Sequence, residues 1–292
     1  MRTRAGASGG SETDCVRLNV AGIEIVVEPR EEEVHGPIAE IFRLFDACLH
    51  RKAANRRVIV GLAGAPGSGK STLAALFSWF STRMDPPLPA VAVSIDGWHW
   101  SNEQLDAMTI EGPGGEPVSM RARKGSPRSF DVEGIVRAME ALRDAHMPLR
   151  VPGYDRRIHE VVPDAIIVPP GVRLVLLEGN YVLAREEPWN RVADRLDLGL
   201  YIEADPVRCR EAVINRHVLG GLSRAEAIAR YEQNDRLNAE FAAASAQHAD
   251  AVIHVNMEHQ LTRVQILSDR ATSRPPVPRG HLPSIRHRDP FR

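Results

Sequence analysis

Gly64-Ala65-Pro66-Gly67-Ser68-Gly69-Lys70-Ser71-Thr72 is the stretch on which the reading of this 292-residue chain turns. It fits G-x-x-x-x-G-K-S, the phosphate-binding loop pattern, and its flanks are those the pattern needs. Before it runs an apolar, strand-like segment, Val58-Ile59-Val60-Gly61-Leu62-Ala63; after it Leu73, Leu76, Phe77 and Phe80 recur at helical spacing. In such a loop the glycines let backbone N–H groups turn toward phosphate oxygens, Lys70 reaches the outer phosphates, and the Ser71 hydroxyl can hold Mg²⁺. The helix start adds roughly half a positive charge facing the ligand. A plain glycine turn joining strand to helix is the alternative, and the complete motif with both flanks argues against it. A nucleoside triphosphate bound by residues 64–72 is the expectation.

Composition narrows the rest. An apolar fraction of 43% and a charged fraction of 26% are those of an ordinary globular protein able to bury a sizeable core. The net charge of −1 gives no global electrostatic reason to bind nucleic acid or a membrane surface. Three scattered cysteines, Cys15, Cys48 and Cys209, form no C-x-x-C pair, which argues against a disulfide framework or a zinc site. No apolar run approaches the ~18 residues of a membrane span, and residues 1–14 lack a secretory apolar stretch, so a cytoplasmic location is expected. A homodimer is left open.

In chain order, residues 1–14 read as a disordered lead-in. Alternation at Val16, Leu18, Val20 and then Ile23, Ile25, Val27 across Ala21-Gly22 signals a β-hairpin, and Ile38 to Leu49 carry a helical stripe. Short apolar runs at 58–63, 90–95, 173–178, 198–202 and 251–255, separated by helices, predict a central, mainly parallel five-stranded sheet covered on both faces. Thr109 to Met120 reads as two extended pieces around Gly112-Pro113-Gly114-Gly115, and a helix is expected from Asp131 to about His146. Asp205-Pro206 is a helix start, and Ser223-Arg224-Ala225-Glu226 a capping box opening a helix through about Gln247. Ser273 to Arg292 reads as a disordered basic tail. The divisions expected are 1–55 as lead-in, hairpin and helix appended to the core, 56–260 as the main domain with a lid near 206–230, and 261–292 as a C-terminal segment.

Ligands in open α/β sheets bind outside the carboxyl ends of the strands, so strand ends hold the candidate site residues. Asp96 follows one strand and Glu178 closes another. Transfer of a phosphoryl group to an alcohol needs neutralised phosphate charge, a positioned acceptor and a proton acceptor. Lys70 and Mg²⁺ on Ser71 and Glu178 would serve the first, and Asp96 the last; the two carboxylates' roles are exchangeable at this stage, and either could be a cap or ion-pair partner. The basic run Arg121, Arg123, Lys124 and Arg128 is either a solvated loop or an anion contact. Pro152 to Glu160 is too rich in charge and aromatic character for a plain connector, so it is expected to line an acceptor pocket. Arginines about Gly220-Gly221, Arg216 first with Arg210 or Arg224 next, suit a lid over the transferring group, against a helical hairpin with solvated arginines.

Taken together, the 64–72 loop, Ser-Ile-Asp-Gly-Trp-His at 94–99, Lys-Gly-Ser-Pro-Arg-Ser-Phe-Asp at 124–131, Tyr-Asp-Arg at 154–156 and Glu-Gly-Asn-Tyr at 178–181 resemble a known group. It is the uridine kinase, phosphoribulokinase and bacterial pantothenate kinase group of P-loop kinases, and within it the nucleoside/nucleotide kinase or fructose-transport-system kinase branch. The resemblance spans roughly residues 56–256. It implies a P-loop NTPase three-layer α/β/α sandwich, ATP and Mg²⁺ as cofactors, and a small polar metabolite as phosphoryl acceptor. It implies further that Asp96 is the catalytic aspartate, that Tyr154, Asp155, Arg156 and His159 face the acceptor, and that Arg216 belongs to the lid. Arg121, Lys124 and Asn180 complete the expected acceptor set. Glu-Gly-Asn-Tyr and Tyr-Asp-Arg-Arg depart from better-known members near the acceptor, so no named acceptor carries over. The competing class is an NTP-hydrolysing regulator or assembly factor that uses the loop as a switch, distinguished by hydrolysis without an acceptor. A degenerate ATP-binding module is disfavoured by Lys70, Ser71, Asp96 and Glu178 together.

Overall fold

The computed structural model describes residues 15–111, 116–272 and 284–285. The expectations placed on residues 1–14, on the turn at 112–115 and on most of the 273–292 tail lie outside the described residues.

Strand β1 (Val16–Val20) and β2 (Ile23–Val27) form the expected hairpin, closed by Ala21 and Gly22 at φ 51° and 83°, the left-handed pair a two-residue turn demands. Helix α1 (Ala39–His50) follows. The phosphate loop joins β3 (Val58–Gly64) to α2 (Lys70–Ser81), and β4 (Ala90–Ser94) comes next. After the short helix α3 (Asn102–Ala107), Thr109–Glu111 pairs antiparallel with Pro117–Ser119, matching the two extended pieces expected there. Helix α4 (Val132–Leu142) starts at Asp131, whose carboxylate accepts from Gly134 N–H at 2.9 Å. It stops short of His146, because the 142–147 backbone bends to offer the carbonyls of Leu142, Asp144 and Met147 to the buried Arg57 guanidinium. Residues 149–168 form a second hairpin, β5 (Leu149–Asp155) and β6 (Glu160–Val168). Strands β7 (Leu174–Glu178) and β8 (Leu198–Ala204) are followed by α5 (Pro206–Leu219), α6 (Arg224–Arg230) and α7 (Arg236–Ala244), then β9 (Ala251–Val255) and β10 (Leu261–Ile266). The capping box at Ser223 is formed, but the long helix expected beyond it is interrupted by a wider turn at Tyr231–Asp235.

The main sheet runs β10-β9-β8-β3-β7-β4. All five expected strands are present and parallel. The sheet nevertheless has six strands, a correction to the expected five: β10 adds antiparallel to β9 after the tight turn 256–260, at an edge where only Leu261 and Val264 are buried. Strands β3 and β7 are buried along their whole length, as continuous apolar runs in a sheet covered on both faces should be. On one face α1 and α2 pack with β1, and Phe42, Phe45 and Phe77 meet edge-on at 5.4 to 6.3 Å. On the other, α4 joins Phe130, Tyr181 and Trp189. This is the three-layer α/β/α sandwich. Strand β3 lies between β7 and β8, so chain connections leave it in both directions, and the crevice at its carboxyl end is where such sheets bind ligands.

Candidate active site

The phosphate loop emerges from β3 at that crevice. Gly64, Ala65, Pro66, Gly67, Ser68 and Gly69 carry the chain into Lys70, Ser71 and Thr72, the first turn of α2. Gly67 and Gly69 hold φ of 84° and 91°, and a Cβ on Gly67 would run into the backbone carbonyl of Cys209 in α5, so side chains are excluded there twice over. The first N–H groups of α2 have no intrahelical acceptor, which leaves them available to an anion at the helix start. Ser68 Oγ is buried with no hydrogen-bond partner among the described residues. A buried hydroxyl without a partner in a glycine-rich loop at a helix start fits an oxygen-rich anion. Lys70 bends back over the loop, its Nζ donating to the Ala65 carbonyl at 2.9 Å, and burial depresses its pKa to about 8 against the opposing pull of Glu178 and Asp96.

Glu178, the last residue of β7, pairs in register with Leu62 on one side and Ser94 on the other. Its carboxylate accepts from Ser71 Oγ at 2.8 Å. Burial and the neighbouring Asp96 raise its pKa, while Lys70 and hydrogen bonds from Ser94 and Ser71 oppose the rise. Ser71 and Glu178 are hard oxygen donors side by side under Lys70, the donor set that suits Mg²⁺ held jointly with phosphates. Among the described residues no group of three or more His, Cys, Asp or Glu could hold a metal ion by itself.

Asp96 sits in the turn after β4, its backbone N–H bonded to Ser94 Oγ at 3.3 Å. Burial by itself would raise its carboxyl pKa, but His99, Arg156, Arg216 and Lys70 together bring it below the usual carboxylate value. The Arg156 guanidinium is 3.6 Å away. His99 packs its ring 4.0 Å from Phe130 and 5.4 Å from Tyr154, with Nδ1 3.0 Å from the Asp96 carbonyl. Burial lowers the His99 pKa, so the ring is neutral near pH 7. Burial raises the Tyr154 hydroxyl, which stays protonated.

The other expected acceptor residues divide. Tyr154 and Arg156 line a cavity of about 410 Å³ that also touches Ser71, Glu178 and the β1–β2 turn. Lys124 lies 5.2 Å from the Tyr154 ring and donates to Asn102 Oδ1 and the His159 carbonyl. Arg121, by contrast, is tied to Asp106 at 2.9 Å, and Asn180 hydrogen-bonds the hydroxyl of Tyr181, whose ring belongs to the aromatic core. Among the lid arginines, Arg210 pairs with Glu232 at 3.2 Å and Arg224 with Glu211 at 2.7 Å. The Arg216 guanidinium has neither hydrogen-bond nor ion-pair partner among the described residues and lies within electrostatic reach of Lys70, Asp96 and Arg156. Three residues that sequence reasoning gave no role join the site: Ser94, His99 and Arg230. Ser94 and His99 were legible as the ends of the stretch around Asp96, whereas nothing in the sequence sets Arg230 apart from its neighbours.

This arrangement has known counterparts. The profile of the "Phosphoribulokinase / Uridine kinase family" matches residues 59–262. The chain belongs to that family. It is 32% identical over 247 residues to the uncharacterized protein YggC of Escherichia coli (strain K12), covering 83% of this chain and 96% of YggC. A proposed uridine kinase, C227.14, of Schizosaccharomyces pombe is 32% identical over 217 residues, 72% of this chain and 88% of its own length. Among solved structures, a proposed fructose transport system kinase from Silicibacter sp. TM1040 superimposes with a TM-score of 0.61 and 30% identity, over 71% of this chain and 94% of that one. The family member described here is therefore a phosphotransferase with an alcohol group as acceptor, built on a nucleotide-binding P-loop. No described helix is long and apolar enough to cross a membrane.

Proposed function

We propose that the chain transfers the γ-phosphoryl group of ATP to a hydroxyl of a small polar metabolite, a sugar, nucleoside or related compound, with Asp96 as general base. The observation that carries this reading is the ionised Asp96 carboxylate, 3.6 Å from the Arg156 guanidinium and within electrostatic reach of Arg216 and Lys70, at the crevice into which the phosphate loop opens. In the reaction, the acceptor O–H gives its proton to an Asp96 oxygen while its oxygen bonds to the γ-phosphorus and the bond to the ADP oxygen breaks. Lys70 and Arg216 oppose the charge on the phosphoryl oxygens, and the loop N–H groups hold the phosphates. Mg²⁺, held by Ser71 and Glu178 with the phosphates, supplies further charge neutralisation when bound.

The lid assignment for α5 and α6 and the division near residues 56 and 260 are parts of the same proposal. Arg156 is given the task of orienting Asp96, Tyr154 that of packing against the acceptor beside a neutral His99. A screen of sugars, nucleosides and vitamin precursors by coupled ADP release tests the reading. Acceptor-stimulated ADP release supports it; ADP release indifferent to every small molecule and stimulated by a protein would favour the regulatory alternative.

A further inference from the structure

Hairpin β1–β2 lies outside residues 59–262, the stretch that the family profile matches, yet its turn reaches the site. A two-stranded hairpin is marginal alone in water. This one is held by Val16, Leu18 and Val20, buried in the core that α1 and α2 share. That packing fixes the strands and leaves the chemistry of the turn free. Ala21 and Gly22 line the cavity that Tyr154, Arg156 and Glu178 also border. The Ala21 carbonyl accepts from Arg156 N–H at 3.2 Å, which ties the turn to the residue whose guanidinium faces Asp96. Asn19 Oδ1 braces the turn by accepting from Gly22 N–H at 3.1 Å. Gly22, at φ 83°, is pressed against Asp155: a Cβ there would stand 3.0 Å from Asp155 Oδ1, an oxygen already engaged by Arg157.

Ala21 runs against local preference. A two-residue turn with positive φ at both positions favours Asn-Gly or Asp-Gly, and alanine at φ 51° is disfavoured there. What alanine provides is a side chain of a single carbon. The cavity is bounded further by Ala74 and Ala75 of α2, Ala92 of β4 and Ala165 of β6, so small side chains around it leave its space open. A larger group at Ala21 would take from that space directly.

We propose that the β1–β2 turn is a specificity-determining wall of the acceptor site, with the Ala21 side chain setting the room left for the acceptor and the Ala21 carbonyl holding the backbone of Arg156. The inference rests on the kinase reading above and deepens it. Ala21→Asn installs the pair that the turn prefers, so a purely structural turn would keep or raise its melting temperature and leave catalysis untouched. A wall keeps or raises the melting temperature while acceptor use suffers. The probes are ribose, fructose, uridine and glycerol, in coupled ADP release with MgATP. In Ala21→Asn the KM for each probe that is turned over should rise about 10-fold, more for uridine than for glycerol, with the KM for ATP unchanged. Arg17→Ala, which removes the exposed Arg17–Glu24 pair at 3.5 Å on the same hairpin, should leave the acceptor KM as in wild type. An acceptor KM in Ala21→Asn within about twofold of wild type would overturn the inference and leave the kinase reading standing. So would an equal rise in Arg17→Ala, or a loss in Ala21→Asn that comes with a lowered melting temperature, which would assign the turn to the fold alone. No acceptor-stimulated ADP release from the wild-type protein with any probe would remove both.

Discussion

Asp96→Asn is the substitution on which the proposed chemistry can be weighed most finely. Asparagine keeps the size and one acceptor oxygen of the side chain but cannot take the acceptor's proton. A positioned general base is worth about 10²- to 10⁴-fold in rate, which corresponds to roughly 3–5 kcal/mol of barrier. The folding cost is much smaller, because the Asp96 and Arg156 side chains are 30% and 23% exposed and 3.6 Å apart, a partly solvated pair. Breaking such a pair costs on the order of 1 kcal/mol. The expected result is therefore a kcat reduced by about 10²- to 10⁴-fold, with KM for ATP and melting temperature nearly unchanged. Steady-state ADP release with a saturating acceptor and a thermal melt measure the two sides. The pH profile adds a second check. Because the Asp96 pKa is held below the ordinary carboxylate value, the group stays ionised from pH 5 to 8 and contributes no acid limb to kcat/KM in that range. A variant with kcat within tenfold of wild type would refute the assignment of Asp96 as base.

Lys70, with its pKa depressed to about 8, loses its charge in the free enzyme as pH rises through that value; kcat/KM for ATP should fall above pH 8, and Lys70→Ala should abolish turnover, whereas a profile flat to pH 10 would contradict the burial argument. Arg216→Ala should lower kcat by about 10³- to 10⁵-fold if that side chain covers the transferring group. Arg210→Ala and Arg224→Ala, whose guanidinium groups are engaged by Glu232 and Glu211, should stay within about tenfold of wild type, and equal losses in all three would remove Arg216 from its role. Arg57, fully buried, donates to the carbonyls of Leu142, Asp144, Met147, Pro169 and Val172. Arg57→Ala leaves them unpaired and should destabilise the fold by about 3–5 kcal/mol in denaturant unfolding, a loss below 1 kcal/mol being the contrary result.

The donor half of the site was readable because its signals are local. The loop from Gly64 to Thr72 is contiguous, and the strands that carry it and Glu178 are unbroken apolar runs buried on both faces. Asp96 was readable for the same reason, as the first polar group after a short apolar strand. The acceptor side was harder. Hairpin β5–β6 hides behind Pro152-Gly153 and Pro163, which interrupt strand alternation, and its charged turn reads as loop. Strand β10 has only two inward residues, Leu261 and Val264, too few for periodicity to register. Which lid guanidinium is left without a partner among the described residues, and that Arg121 and Asn180 are engaged elsewhere, depends on partners 13 to 56 residues away or on packing around Tyr181. The proximity of Lys124 and His159 is likewise a product of two elements meeting, with no trace in spacing.

The central claim is that phosphoryl groups leave this site attached to a small molecule. Incubating the wild-type protein with Mg²⁺, ATP labelled at the γ-phosphoryl group and the acceptor panel, then resolving the label's destination, tests that directly. The account predicts label in a phosphorylated metabolite, formed in step with ADP and abolished by Lys70→Ala. Label released only as inorganic phosphate, at a rate no acceptor alters, would contradict it.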